Sequence, residues 1–274
     1  MKKLIFIILF SVVANAQTHR FIYEFQYKND STAAEYQKEN MTLDINPDEV
    51  KFYEYDYAEN DSLNKLRDFH NVIWNDTPVL KHNKNSYKYL NYILQDAYFY
   101  YVSEDKIDWK LSNETKLSGN YKLQKAETNF GGRHWIAWFC PEINLNEGPY
   151  KFRGLPGLIF EIQDSKKNFI FSLAKSMKLA KTYETKNFVE SFNGDKAILV
   201  NLKTIQKKML ETFNDPLRDM RDSFDPNADG EYKVYGIKVT SKEQFKELTE
   251  MVQSQMRKEN NPIELDKAVH YPEK

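Results

Sequence analysis

A cysteine and a histidine within one strand-like segment are the first residues to weigh for chemistry. Cys140 is the only cysteine and His134 lies six residues before it; on a strand both would face one side and could serve as soft metal ligands. Trp138 stands between them, and His19, His70, His82 and His270 are dispersed without ligand spacing. The pair therefore reads as a packed thiol and a structural or surface histidine, with no metal, no cofactor and no catalytic residue expected. Asp225, Asn227, Asp229 and Gly230 reproduce the first half of a calcium loop, in which alternating oxygen ligands precede a glycine. The ninth and twelfth positions of such a loop are here Lys233 and Gly236, so a polar turn ahead of a strand is the reading and a shortened calcium loop the alternative. Gly154 and Gly157 have the spacing of a nucleic-acid backbone clamp, which needs flanking helices and a basic surface that the sequence does not provide. No phosphate loop, nucleophile elbow or zinc-protease helix is present.

Arg133 has the most to explain. It follows Gly131 and Gly132, which predict a hairpin turn, and precedes Trp135 and Trp138, so its stem lies on a half-buried face where a guanidinium must find acceptors. It either anchors a buried carboxylate, with Glu142 the nearest acidic candidate, or receives a ligand anion. Pro141 then ends the strand, and the run Gly148, Pro149, Tyr150, Lys151, Phe152, Arg153, Gly154, Leu155, Pro156, Gly157, Leu158, Ile159 follows. Pro156 fixes the first central dihedral of a turn and Gly157 accepts a positive second one, which predicts a structural type II turn over 155–158. Leu158, Ile159, Phe160 and Ile162 lead into a buried strand.

These residues resemble the GLPGLI family of secreted Bacteroidota proteins, whose six-residue signature stands unaltered at 154–159. The resemblance extends to Gly119, Tyr121, Lys125 and Ala126, to Gly132 and Arg133, to Trp138, to the Pro141, Glu142, Ile143 step and to 148–152. It implies that Arg133, Trp138, Gly148, Pro149, Gly154, Leu155, Pro156, Gly157, Leu158 and Ile159 are structural motif residues, and it implies no activity, because the family is essentially of unknown function. Members often carry a cysteine where this chain has Leu123 and a threonine where it has Cys140, which argues against a catalytic cysteine.

The elements that position this motif are mostly strands. Phe21, Tyr23, Phe25 and Tyr27 alternate with Glu24, Gln26 and Lys28, the period of a half-buried strand. Further strands are predicted around 41–45 and over 50–57, 97–102, 107–111, 121–128, 133–139, 158–163 and 169–173, with short connections that favour antiparallel pairing. Beyond residue 181 the period changes. Ile198, Leu199, Leu202, Ile205, Met209 and Leu210 predict one amphipathic helix; Phe245, Leu248, Met251, Val252 and Met256, behind a Thr240 or Ser241 cap, predict another. A short strand over 232–239 lies between them, and residues 261–274 read as an extended, poorly ordered tail.

Lys2 and Lys3 precede an apolar run over 4–13 and then Ala14, Asn15 and Ala16, the pattern of a secretory signal peptide cut before Gln17. Export to the periplasm or beyond is expected, without a transmembrane anchor, since no later window approaches the roughly 20 apolar residues a span needs. Removing Lys2 and Lys3 leaves 37 basic against 40 acidic residues. That balance excludes the clustered basic excess nucleic acid would demand. With 4 Trp, 18 Tyr and 18 Phe, the composition suits a strand-rich fold. The expectation is a single α+β domain over 17–260, with a core module at 109–164 and a curved, mainly antiparallel sheet carrying C-terminal helices. Its fold is loosely similar to periplasmic lipoprotein-carrier half-barrels, which implies a non-catalytic binding or carrier module for an apolar ligand. An envelope protein-interaction module without a pocket and an unrecognised enzyme are the alternatives.

Overall fold

The computed structural model describes residues 17–68 and 71–273; the predicted signal peptide, His70 and Lys274 lie outside the described residues. In chain order the elements are β1 (Thr18–Tyr27), β2 (Gln37–Ile45), β3 (Glu49–Glu54), α1 (Tyr55–Arg67), β4 (Val79–Asn83), β5 (Lys88–Leu94), β6 (Tyr98–Glu104), β7 (Lys110–Ser118), β8 (Tyr121–Phe130), β9 (Arg133–Cys140), β10 (Leu158–Asp164) and β11 (Phe169–Leu179). The small pair β12 (Ser191–Phe192) and β13 (Asp195–Lys196) follows, then β14 (Ile198–Leu199), α2 (Leu202–Asn214), α3 (Arg218–Ser223), β15 (Tyr232–Val234), β16 (Ile237–Val239) and α4 (Gln244–Lys258). No described helix is long and apolar enough to cross a membrane.

Twelve strands form one sheet in the order β14-β6-β5-β4-β3-β2-β1-β11-β10-β9-β8-β7. It is two antiparallel meanders, β1–β6 and β7–β11, joined where β1 pairs with β11. Only β14 runs parallel to its neighbour β6. Leu80 and Tyr89 near one end of the sheet share a single core with Leu123 and Trp135 near the other, so the sheet curls and its inner face meets itself. The α+β expectation of a curved antiparallel sheet with C-terminal helices is therefore what the chain forms.

The period-two reading of β1 holds for its inner face, where Phe21, Tyr23 and Phe25 are buried. Its outer face is covered as well. Arg20 there donates to both carboxylate oxygens of Asp44 at 2.7 and 2.6 Å and to the Tyr53 hydroxyl, beneath the Tyr183 ring. α1 and residues 183–192 cover the outer face of the first meander, joining Tyr57, Val189 and Phe188 to Tyr53, Tyr92 and Tyr98.

Several local readings need correction. The helix expected from Ile198 begins at Leu202, because Ile198 and Leu199 pair with β6 as β14, and the strand expected over 107–111 begins at Lys110. The strand expected to reach residue 57 stops at Glu54 and turns into α1; that helix buries only Tyr57, Ala58 and Asp61, too few positions to leave a helical period. The strand expected over 232–239 is a hairpin with Tyr235 and Gly236 at its turn, both at positive φ. Residues 261–274 are not a loose tail: 259–272, here the strap, recross the sheet and include a 3₁₀ turn at Leu265–Lys267. Asn261 donates to the Lys28 carbonyl at 2.6 Å and the Leu265 N–H to the Gly131 carbonyl at 2.7 Å.

Candidate functional site

The motif forms a plug inside the curled sheet. Residues 141–157 link β9 to β10, and within them Phe152 is fully buried against Trp135, ring centroids 4.5 Å apart. The first meander grips this loop: the Tyr23 hydroxyl donates to the Ile159 carbonyl at 2.7 Å and the Tyr89 hydroxyl to the Lys151 carbonyl at 3.3 Å. Arg153 reaches the other way, donating to the Ser86 carbonyl at 2.7 Å and pairing with Glu147 at 2.9 Å. Its own carbonyl accepts from the Trp109 indole. Pro149 is buried and its carbonyl closes the turn onto the Phe152 N–H.

The expected type II turn takes another form. Leu158 N–H donates to Ile143, not to Leu155, while Gly157 N–H donates to the Leu155 carbonyl at 2.8 Å; Pro156 is thus the exposed centre of a tighter three-residue turn. Gly157 has φ 156°, a value side chains rarely adopt, and it is enclosed as well: a Cβ there would lie 2.2 Å from the Cys140 carbonyl oxygen. Gly148 is similarly enclosed, a Cβ falling 2.5 Å from the Phe152 carbonyl oxygen. Gly154 is exposed, at φ 95° with open space around it. Leu155, Leu158 and Ile159 are core residues.

Arg133 is buried and held, but not by Glu142. β9 separates the two by roughly 20 Å or more of extended chain, and Glu142 is exposed at the far end. The guanidinium donates to the carbonyls of Ile263 at 3.0 Å and Pro262 at 2.7 Å and to the Asn261 side chain at 2.6 Å. It meets Asp164 at 3.4 Å and lies over the Phe169 ring. Burial pushes its pKa below the ordinary value against the pull of Asp164. Trp138 is half-buried on the opposite face with Lys116 over its ring. His134 is exposed beside Asn129, and Cys140 is buried where the register sets it near Leu123. Asp225 accepts the Asn227 N–H in a short polar turn.

Where the plug ends, a cleft begins. It holds about 500 Å³ between the inner face of the first meander and a cap made of α2, α4 and the strap. Phe25, Tyr27, Leu80 and Ile93 form its floor; Ile205, Met209 and Met256 form its roof. One wall is a charged network. Lys151, fully buried, pairs with Asp105 at 2.8 Å and Glu264 at 2.5 Å, Lys267 pairs with the same two carboxylates, and the Tyr150 hydroxyl donates to Glu264. Burial opposes the charge on Asp105, yet Lys151 and Lys267 outweigh it and lower its pKa. Lys267 is raised by Glu264 and Asp105 against the same burial penalty. Burial and Glu264 push the Tyr150 phenol well up, and burial with nearby carboxylates pushes Tyr27 up to about 12. These are walls that hold a shape, apolar over most of their area and polar at fixed points.

The sequence reading missed the cleft and the gripping residues Lys151, Arg153 and Tyr89. A signal existed: two cations within an aromatic, turn-rich run that leads into a buried strand must be buried with partners.

A family model described as a protein of unknown function (Porph_ging) matches residues 131–161, from the β8–β9 turn to the middle of β10. No curated protein matches the chain. Two solved structures are similar in fold, "Structure of PNGF-II in C2 space group" and "Structure of PNGF-II in P21 space group". The first gives a TM-score of 0.51 at 14% identity over 71% of this chain and 33% of that one. The second gives 0.52 at 14% identity over 70% and 33%. This chain thus spans about a third of the length of those structures, and the likeness is one of fold.

Proposed function

We propose that the protein is an exported, non-catalytic binding module that holds an apolar ligand of the cell envelope in the cleft beneath the cap. The observation that carries this reading is the cleft itself: about 500 Å³, inside the range of roughly 300–1,000 Å³ of small-molecule sites. Its aromatic floor supplies rigid apolar area, and Met209 and Met256 in the roof can re-pack around different shapes. A docking module without a pocket would call for a contiguous exposed apolar patch. The most exposed large apolar residues, Leu66, Leu117 and Tyr235, stand on α1, β7 and the β15–β16 turn and form no common element.

The test is titration of the chain with 1-anilinonaphthalene-8-sulfonate, followed by native mass spectrometry of protein recovered from an envelope fraction. Saturable binding of one probe per chain is expected. Ile93→Arg should weaken it about tenfold or more by placing a charge on the apolar floor, with the fold retained by circular dichroism. Absence of saturable binding, or equal binding by the variant, would remove the cleft from consideration.

A further inference from the structure

We infer that the strap is a latch: residues 259–272 hold the cap shut over the cleft, Gly131, Gly132 and Arg133 are the keeper that receives them, and the cap lifts as a unit when they release. The latch concerns access to the proposed binding site and rests on that reading for its purpose, but its mechanics stand on the contacts alone.

The cap is built to move as one body. Leu217, Phe224, Val234, Val239, Phe245 and Leu248 join α4 to the 217–239 segment in a small core separate from that of the sheet, and Gln253 of α4 donates to the Phe213 carbonyl of α2 at 2.8 Å. At its start it is tied to the sheet by β14 alongside β6 and by Lys208 on Asp96 at 2.7 Å. At its end it is tied through the strap and, at the surface, by Lys258 on Asp30 at 3.2 Å. On the cap side, Tyr271 stacks on Phe213 with centroids 4.6 Å apart, Arg257 donates to the Pro272 carbonyl, and Gln206 donates to the Lys267 carbonyl. On the sheet side stand the bonds from Arg133, the Leu265 N–H on Gly131 and the pairs from Lys151 to Glu264 and from Lys267 to Asp105.

The keeper is shaped for this passage. Gly131 and Gly132 have φ of 61° and 73°, the two positive values of the tight hairpin turn that suits a twisted ladder. The strap passes so close that a Cβ on Gly131 would lie 2.9 Å from the Glu264 Cα, and one on Gly132 3.2 Å from the Leu265 Cβ. Release is electrostatically tolerable, because each buried cation that holds the strap has a second partner outside it: Arg133 keeps Asp164 and Phe169, and Lys151 keeps Asp105. Neither is left as an unpaired buried charge. The bonds lost by Arg133 are mostly to backbone carbonyls, which water can replace once the strap has lifted.

The test needs no ligand. Ile205 is buried in the cleft roof, so Ile205→Cys reports cap opening through its rate of alkylation by iodoacetamide, while native Cys140, buried in the sheet core, reports global unfolding in the same sample. The expected result is that Ile205→Cys is alkylated well before Cys140. Adding Asn261→Ala, which removes a strap side chain bonded to both Arg133 and Lys28, should raise the rate at Ile205→Cys about tenfold with the Cys140 rate unchanged, as for a local opening. Alkylation of both thiols at one rate would show that the cap opens only with the whole fold. An unchanged rate on adding Asn261→Ala would show that the strap is no latch. Either result overturns the inference, and neither depends on whether a probe binds the cleft.

Discussion

The two meanders share one sheet and differ in what occupies their inner faces. Over the second meander lies the chain's own loop 141–157, with Phe152 and Leu155 fully enclosed and backbone approaches so close that Gly148 and Gly157 admit no side chain. Over the first lies a cleft roofed by helices and a strap. Where the sequence supplies a covalently attached plug, the interior is dense and positions are fixed. Where the cover arrives from the far end of the chain, space is left, and the closure combines polar bonds that can be exchanged with water and one apolar anchor, Ile263, set in the sheet core. The matched family segment falls on the filled half and on the keeper of the strap, so its residues shape the cleft without lining most of it.

The largest expected effect breaks the filled half. Gly157→Ala places a Cβ 2.2 Å from the Cys140 carbonyl oxygen, which forces backbone to move and should destabilise by about 4 kcal/mol, near the upper end of overpacking penalties. Gly154→Ala, with open space around it, should lose only about 1 kcal/mol through its positive φ. Urea melts of the two variants measure the difference. Equal losses would mean that the motif glycines act through conformational freedom and not through packing.

Next comes the contact between the halves and the strap. Arg133→Ala leaves Asp164 buried without its cation and should lose roughly 3 kcal/mol; Arg133→Lys should lose about half of that, because a point charge cannot reach Asp164, Asn261 and two carbonyls at once. Thermal melts decide it, and full stability of both variants would return Arg133 to the list of ligand-contacting residues.

The smallest effect is a pH dependence on the cleft side. Tyr150 and Lys267 have pKa values raised on folding, so their stabilisation is complete below their unfolded values near pH 10 and is lost as pH rises through the folded ones. Tyr150→Phe should lessen the alkaline loss by up to about 1.4 kcal/mol per pH unit, the contribution of one proton. Asp105, lowered on folding, acts at the other end: its stabilisation is present above about pH 4 and lost as pH falls below it. Stability curves with the same alkaline slope for Tyr150→Phe and the parent would place the base-labile groups elsewhere.

Much of the filled half was legible in the sequence. The Gly131–Gly132 turn, the strands on either side and the buried thiol could be read there, as could the helices α2 and α4 of the cap, because turn glycines and single-period patterns are local signals. The cleft half was harder for a physical reason. β5 buries Tyr89 and Asn91 on one face and Tyr92 on the other, which erases the alternation that marks a strand, and α1 buries too little to mark a helix. The strap was unreadable because its order comes from partners more than a hundred residues away, as Arg133 with Asn261 shows. Glu142 was named for Arg133 on nearness in sequence, and the length of β9 makes that nearness irrelevant.

The placement of β1 has a consequence for how the molecule comes together in time. It is the first described strand, yet it lies in the interior of the sheet, with β2 on one side and β11 on the other, and Thr18 pairs with Leu179. Each meander can assemble from neighbouring hairpins, but the seam between them requires a loop spanning most of the chain to close, which is slow compared with local pairing. Until that seam forms, one flank of β1 is an open edge carrying Phe21, Tyr23 and Phe25, able to pair with a second chain. Half-made molecules are therefore the species in which this edge lies open to a second chain.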